Sequence, residues 1–272
     1  MADDTPLTRA MVLSLLGFPF YMEEDAHPWG SVFSAKPNLP LLRTWDGFSG
    51  SQPSETGRML ARSPRERLDT LKARKTFLSI HPNYRIWEPT PFISFTQSPQ
   101  QLQDIANERE ERRNRFQTIT VINSNVRMQK GLPMLNMEFE MGHYRVPNPY
   151  HQANDYYKDH YICLWEVTEE EFVGNWDWRS LVGSDRWYEQ IILPAFRAHN
   201  EKHDTRGEAF KMTALRDALL ETQASSTPFS KDFCACSETE EDGAFVGDES
   251  DSSDEAEESN AIDNELKFLE ES

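Results

Sequence analysis

Most of the predicted architecture follows from one segment, which reads Thr90-Pro91-Phe92-Ile93-Ser94-Phe95-Thr96-Gln97-Ser98-Pro99. Ile93 and Phe95 alternate with other residues in its first part, and this period of two predicts a strand buried on one side. Ser98-Pro99 then combines a capping side chain with a proline suited to the first helical turn, so a helix is predicted to about Arg115. We therefore expect a strand that leads directly into a helix.

Further strands and helices are predicted on both sides of this segment. Apolar patterning indicates strands at 39–45, 116–123 and 161–168, and helices at 5–16, 54–78, 169–173, 187–192 and 205–221, with 126–159 irregular. Because these elements interleave without a regular βαβ repeat, the sequence predicts an α+β fold rather than a doubly wound sheet. Tryptophans at such spacings are usually core residues, which is the interpretation adopted for Trp165, Trp176, Trp178 and Trp187.

The composition indicates an intracellular protein without disulfide bonds. The chain has 272 residues, 28 Lys and Arg against 46 Asp and Glu, and 3 Cys. So few cysteines, in an odd number, are typical of a reducing compartment. The longest apolar stretch, 11–20, is too short to cross a membrane and lacks the pattern of a secretory signal, so no membrane association is expected.

The acidic charge is concentrated at one end of the chain. Residues 237–272 hold 15 Asp and Glu and one Lys, a net charge of −14 out of −18 for the chain. Such a segment cannot bury enough apolar surface to fold, and it is predicted to be a disordered acidic tail. The predicted organisation is a docking helix and loop at 1–35, one α+β domain at 36–203, a helical extension and linker at 204–236, and the tail. The tail suits a basic protein partner.

Several familiar sites are excluded by their motifs. The chain has no phosphate-binding glycine loop, no paired cysteines with metal spacing and no nucleophile elbow. His199 and His203 are four residues apart, but the glutamate between them is not next to the first histidine, where a zinc protease requires it, so no metal site is predicted. The basic stretch at 58–75 is the one region suited to nucleic acid, and the overall negative charge makes that use unexpected.

Three polar side chains on predicted strands remain as candidates for chemistry. Arg43 interrupts the apolar run Leu41-Leu42-Arg43-Thr44-Trp45, and a buried guanidinium needs an anion. The anion is either a ligand phosphate or an internal acid such as Asp46. Ser94 and Thr96 present two hydroxyl groups on one face of the following strand.

The order of these residues resembles that of mono-ADP-ribosyltransferases, most closely the catalytic chain of the cholera and heat-labile enterotoxin family. That family has an arginine strand, a basic helical loop, a serine-x-serine/threonine strand and a glutamate before a further strand. The likeness covers about residues 39–200 and includes segments 118–122, 167–168 and 173–176. Through Arg43, 90–96 and 163–178 the chain also looks like a domain that recurs in filamentous fungi.

The resemblance implies a fold of mixed sheets around a cleft with flanking helices, and NAD as the cofactor. It implies that Arg43 binds a phosphate of NAD, that Ser94 holds the ribose at the cleft and that Thr96 supports this strand. Breaking the bond between nicotinamide and ribose also requires a carboxylate near the developing positive charge.

The acidic motif of the family is the part that this chain does not reproduce. The family's glu-x-glu falls on residues 158–160, which places His160 at the essential glutamate. The candidate acids are then Asp159, one residue away, and Glu166, predicted on the same strand face as His160. Two functions follow as expectations. One is an ADP-ribosyltransferase that modifies a protein, and the other is a non-catalytic interaction module that binds nucleotide or basic proteins.

Overall fold

The structure is a computed structural model that describes residues 5–17, 22–30, 38–83, 85–113, 115–150 and 154–203. The predicted helical extension at 204–236 and the acidic tail at 237–272 lie outside these residues. Among the described residues, no helix has the length and apolar character needed to cross a membrane.

Six of the described strands form one sheet in the order β5-β6-β3-β1-β4-β8. They are β1 (Leu41–Trp45), β3 (Phe92–Thr96), β4 (Thr118–Ile122), β5 (Met134–Asn136), β6 (His160–Leu164) and β8 (Phe172–Asp177). Two short strands, β2 (Met59–Leu60) and β7 (Glu166–Val167), form a second sheet. Each hydrogen-bonded pair of these strands is antiparallel, whereas the resemblance implies mixed sheets.

Helices surround the sheets, and the predicted α+β class is confirmed. The described helices are α1 (Arg9–Leu16), α2 (Met22–Ala26), α3 (Leu71–Ile80), α4 (Pro99–Arg113), α5 (Ser124–Gln129), α6 (Met137–His143), α7 (Trp178–Val182) and α8 (residues 187–203). Short 3₁₀ turns lie at Asn154–Tyr157 and Glu169–Glu171. The predicted passage from strand to helix is present, since α4 begins at Pro99 directly after β3.

Strand β3 lies at the centre of the core, with apolar side chains packed on both of its faces. Phe92 packs in a cluster with residues of α1, including Val12 and Leu16. Ile93 and Phe95 pack on the opposite face in a second cluster. The prediction that this strand is buried on one side is therefore wrong, and within it Ser94 is the residue that stays partly exposed.

Several predicted elements differ from the structure because the apolar patterns from which they are predicted are short. The predicted helix at 54–78 is helical over Leu71–Ile80, and the irregular region at 126–159 contains β5 and α6. The predicted helix at 169–173 is a 3₁₀ turn followed by β8. Helix α8 continues past Pro194 to residue 203, through a π-helical turn at Tyr188–Ile192. In that turn the backbone hydrogen bonds span one residue more than in an α-helix. Pro194, which has no N–H to donate, follows this turn, and the helix continues past it.

Trp165 divides the predicted strand at 161–168 into β6 and β7. Its φ of +59° lies in the left-handed region, which is strained for a bulky side chain. The surroundings hold this conformation, because its N–H donates to the Pro91 carbonyl at 2.6 Å and its carbonyl accepts from the Ala61 N–H at 2.8 Å. Glu166 consequently lies in the second sheet instead of continuing the first.

Candidate functional site

Arg43 lies in β1, and its guanidinium reaches the neighbouring strand and the following loop. Nη1 donates to the Ser94 carbonyl oxygen at 3.1 Å, and Nη2 donates to the Gly50 carbonyl oxygen at 2.7 Å. Nε is buried and has no hydrogen-bond partner among the described residues. A carbonyl oxygen accepts a hydrogen bond but carries no net charge, so these contacts orient the guanidinium without neutralising it.

The Ser94 hydroxyl is hydrogen-bonded to a histidine at the end of α3. Ser94 Oγ lies 2.6 Å from His81 Nε2, and His81 Nδ1 lies 2.9 Å from the Thr90 hydroxyl. His81 follows the last residue of α3 as its C-terminal cap, and a tight turn then leads towards β3. The sequence does not select this histidine, because only a tertiary contact connects it to Ser94.

A second arginine, Arg62, packs against the same loop as Arg43. Its guanidinium donates to the carbonyl oxygens of Trp87 and Glu88, each at 2.9 Å. Its stem passes so close to Gly50 that a Cβ built there would lie 2.9 Å from Arg62 Cδ. Gly50 thus contacts Arg62 through its α-carbon and Arg43 through its carbonyl. We call Arg43, Arg62, His81 and Ser94 the Arg43 cluster.

The electrostatic field at the Arg43 cluster is positive. Burial, together with the charges of Arg43, Arg62 and His160, lowers the pKa of His81 to about 3. Burial also lowers the pKa of Arg43 to about 10, helped by the nearby charge of Arg109. Burial is the larger cause of both shifts, and the charges of Arg43, Arg62 and Arg109 are the part that favours an anion.

His81 is therefore a neutral hydrogen-bonding group and a poor base. A serine hydroxyl within hydrogen-bond reach of a histidine that a third group orients is the geometry of an activated nucleophile. Accepting the proton from Ser94 would create an imidazolium beside Arg43 and Arg62, and a pKa of about 3 shows how strongly that is opposed. The pair positions a neutral hydroxyl at a cationic surface.

The cluster is open to solvent on one side. Arg62 is exposed, while Arg43, His81 and Ser94 are half-buried. The loop at 85–89 beside Arg62 is exposed along its whole length. Ligand atoms can therefore approach the cluster from the side of Arg62 and this loop.

The other predicted site residues on β3 and β6 lie nearby with different contacts. The Thr96 hydroxyl donates to Gln101 Oε1 at 2.7 Å and accepts from the Ser98 N–H at 3.0 Å, so it caps the start of α4. His160 is the strand partner of Thr96, and its ring packs edge-on against Tyr156. Burial lowers the pKa of His160 to about 4, although the carboxylate of Asp159 raises it.

Glu166 lies in a separate environment. It is fully buried, and Oε1 accepts from Arg58 Nε at 2.8 Å while Oε2 accepts from Arg65 Nη2 at 3.2 Å. Its Oε2 also accepts from the Leu7 N–H at 3.2 Å, which ties the segment before α1 to the domain. It lines a cavity of about 470 Å³, together with residues that include Arg9 and Lys130. The structure does not bring Glu166 together with the Arg43 cluster.

Further observations concern Cys163, the tryptophans and the histidine pair. Cys163 is fully buried, and burial raises its pKa to about 12. Trp165, Trp178 and Trp187 are buried and Trp176 packs against the same core, so the interpretation of these tryptophans as core residues is confirmed. The rings of His199 and His203 stack 4.5 Å apart, and His199 Nδ1 lies 2.9 Å from Asn123 Nδ2.

Comparison of the sequence with models of known protein families finds no match, and no curated protein matches it.

Proposed function

We propose that this chain is an ADP-ribosyltransferase-like protein that binds NAD through its diphosphate at the Arg43 cluster. The observation that carries the proposal is the state of Arg43. Its guanidinium contacts two carbonyl oxygens, it keeps a buried Nε without a partner among the described residues, and its electrostatic neighbours include Arg109 and His81. An arginine in such a field is stabilised by a phosphate, which accepts several charge-assisted hydrogen bonds at once.

Each member of the cluster has a separate part in this binding. Arg43 is held by Ser94 and Gly50, so its charge is already oriented before a ligand arrives. Arg62 is exposed and anchored at two carbonyl oxygens, and it adds a second positive charge at the open side. The Ser94 hydroxyl, kept by the neutral His81, is suited to hydrogen-bond a ribose hydroxyl or a phosphate oxygen.

Transfer of ADP-ribose is a second candidate function, and the position of Asp159 favours it. Its carboxylate acts on the pKa of His160, and the charge of His160 in turn acts on that of His81. A carboxylate at this side of the cluster would stabilise the positive ribose as the nicotinamide leaves with the bonding electron pair. Glu166 is the less suitable acid, because Arg58 and Arg65 already neutralise it.

Calorimetric titration of ADP-ribose into the full-length protein tests the binding. Arg43→Lys keeps the charge but loses the guanidinium fork, and it should weaken binding by about 10-fold or more, since hydrogen bonds to charged groups contribute about 1.5–3 kcal/mol. The matched control is Arg112→Gln, which removes an exposed arginine paired with Glu108 on α4. Undetectable binding by the wild-type protein would contradict the proposal.

A nicotinamide-release assay separates binding from transfer. If Asp159 is the acid, Asp159→Asn abolishes release from NAD and changes the ADP-ribose dissociation constant less than threefold, about 0.7 kcal/mol. Intact ADP-ribose binding by a wild-type protein that releases no nicotinamide contradicts the transfer reaction. In that case the protein is a binding module.

The partner and compartment expected from the sequence belong to the same proposal. We propose an intracellular protein whose acidic segment at 237–272 binds a basic protein, supported by the net charge of −14 in that segment. Pull-down from cell extract with the full chain and with a chain ending at residue 236 tests this role. The basic partners should disappear with the segment, and an unchanged set of captured proteins argues against it.

A further inference from the structure

The loop between α3 and β3 exposes two large apolar side chains beside the Arg43 cluster. Trp87 is 56% exposed and Ile86 is 40% exposed. Buried tryptophans are the norm in this chain, since Trp29, Trp165 and Trp178 are each fully buried. An exposed tryptophan next to a cationic surface is a feature of sites that bind aromatic ligands carrying phosphate.

Arg62 connects this loop to the phosphate-binding part of the cluster. Its guanidinium carbon lies 5.7 Å from the centre of the Trp87 ring, and its Nη1 donates to the Trp87 carbonyl. Its stem packs on Gly50, whose carbonyl holds Arg43. Further contacts hold the end of the loop: the Thr90 carbonyl accepts from the Ser63 N–H at 3.1 Å, and the Thr90 hydroxyl contacts His81. The indole is thus fixed relative to both arginines.

We propose that Trp87 is a stacking platform for the adenine of an adenine nucleotide whose phosphates lie at the Arg43 cluster. This inference rests on the proposed function, and it adds which part of the ligand binds at the loop. A nucleotide joins a flat aromatic base to an anionic phosphate through one sugar, and the exposed indole beside Arg62 and Arg43 presents the complementary groups in the same order. Base stacking on aromatic side chains and the attraction of arginine for phosphate are independent contributions.

Charge selects adenine over nicotinamide at this position. The nicotinamide ring of NAD carries a positive charge, and Arg62 lies against Trp87. Like charges at this distance repel each other, whereas adenine is neutral and has a π-face of the same kind. The nicotinamide end of NAD therefore lies away from the loop.

Calorimetry with the full-length protein and four probes tests the platform: ADP-ribose, AMP, nicotinamide mononucleotide and inorganic pyrophosphate. Trp87→Ala should weaken ADP-ribose and AMP by about fivefold to about 100-fold, which corresponds to the loss of one stacked base. Pyrophosphate and nicotinamide mononucleotide should keep their affinity within about twofold, because the arginines remain. Trp87→Phe, which keeps an aromatic face, should retain most of the ADP-ribose affinity.

Phe116→Ala is the matched control, since Phe116 is 68% exposed with the guanidinium of Arg179 4.4 Å from its ring centre. It should leave the affinity for all four probes unchanged. Equal ADP-ribose affinity in wild type and Trp87→Ala, with pyrophosphate still bound, overturns the platform and leaves the proposed phosphate site standing. If neither pyrophosphate nor ADP-ribose binds the wild-type protein, the proposed function and the platform both fail.

Discussion

Arg43 and Arg127 are both at least partly shielded from solvent, but the charges around their guanidinium groups differ. Arg127 lies in α5 and is fully buried; its Nη1 donates to Glu171 Oε2 at 2.8 Å, and its Nε donates to the Pro133 carbonyl at 3.0 Å. Glu171 is fully buried as well. Arg43 has carbonyl partners; besides burial, the charge of Arg109 lowers its pKa, and Cys163 is the neighbour that acts in the opposite direction.

The pKa values record this difference. Burial lowers the pKa of both guanidinium groups, but at Arg127 the charges of Cys163, Glu171 and Glu166 outweigh burial and raise it. At Arg43 burial dominates, Arg109 adds to it, and the pKa falls to about 10. Glu171 is the anion that the fold places beside Arg127, so the role of Arg127 is structural. The fold orients Arg43, but none of the described residues supplies an anion for its guanidinium. We therefore assign Arg43 to the binding of a ligand.

The largest expected effect comes from exchanging each arginine for methionine. Arg127→Met leaves Glu171 buried without its charge partner, and the free energy of unfolding should fall by about 3–5 kcal/mol. Arg43→Met removes a charge that the fold does not neutralise, and the loss should stay within about 1.5 kcal/mol. Urea denaturation at pH 7 measures both values, and equal losses would contradict the comparison.

A compensating variant keeps this test informative if Arg127→Met does not fold. Adding Glu171→Gln removes the unpaired carboxylate, so the double variant should recover part of the lost stability. No recovery would mean that the hydrogen bonds of Arg127 to the Leu164 and Glu166 carbonyl oxygens contribute more than its charge.

For each pH unit, a smaller effect is expected from a change in pH. The pKa of His81 is about 3 in the folded protein against an ordinary value of 6.5, so between these values the unfolded chain binds more protons. Its contribution to stability is therefore complete above pH 6.5 and is lost as the pH falls towards 3, by at most about 1.4 kcal/mol per pH unit. His81→Asn should flatten the pH dependence of the unfolding free energy over this interval. His160, with a pKa of about 4, contributes a separate slope of the same sign. An unchanged slope in His81→Asn would show that burial and the neighbouring charges lower the pKa of His81 less than we infer.

The sequence predicts the central elements well because their signals are local. The apolar pattern of β3 and the Ser98-Pro99 helix start are each contained in a few residues, and the strand and the helix both appear in the structure, although the strand is buried on both faces. Strand β8 was missed because most of its residues are only partly buried or exposed, so it has no clear alternation. The break at Trp165 was missed because its positive φ depends on backbone contacts with the distant Pro91 and Ala61.

The candidate site could be predicted in part, for the same reason. A charged residue within an apolar run pointed to Arg43, and a serine in the alternating strand pointed to Ser94. His81 and Arg62 could not be found in this way, because tertiary contacts alone connect them to the cluster: His81 to the Ser94 hydroxyl, and Arg62 to the loop before β3. Glu166 was chosen from an assumed continuous strand, and its ion pairs with Arg58 and Arg65 depend on the second sheet.

The smallest effect is expected from substituting two glycines in the loop after β1. These variants test whether Arg62 contributes to ligand binding in addition to Arg43. A Cβ at Gly50 would lie 2.9 Å from Arg62 Cδ, whereas a Cβ at Gly47 would meet nothing within 4 Å. Gly50→Ala should change the unfolding free energy by less than about 1 kcal/mol, because a long flexible side chain can move aside. It should nevertheless weaken ADP-ribose binding severalfold, by about 1 kcal/mol, since Arg62 then leaves its place beside Arg43. Gly47→Ala is the matched control and should change neither quantity. If both variants bind ADP-ribose like the wild type, Arg43 acts alone and the field at the cluster is not shared between the two arginines.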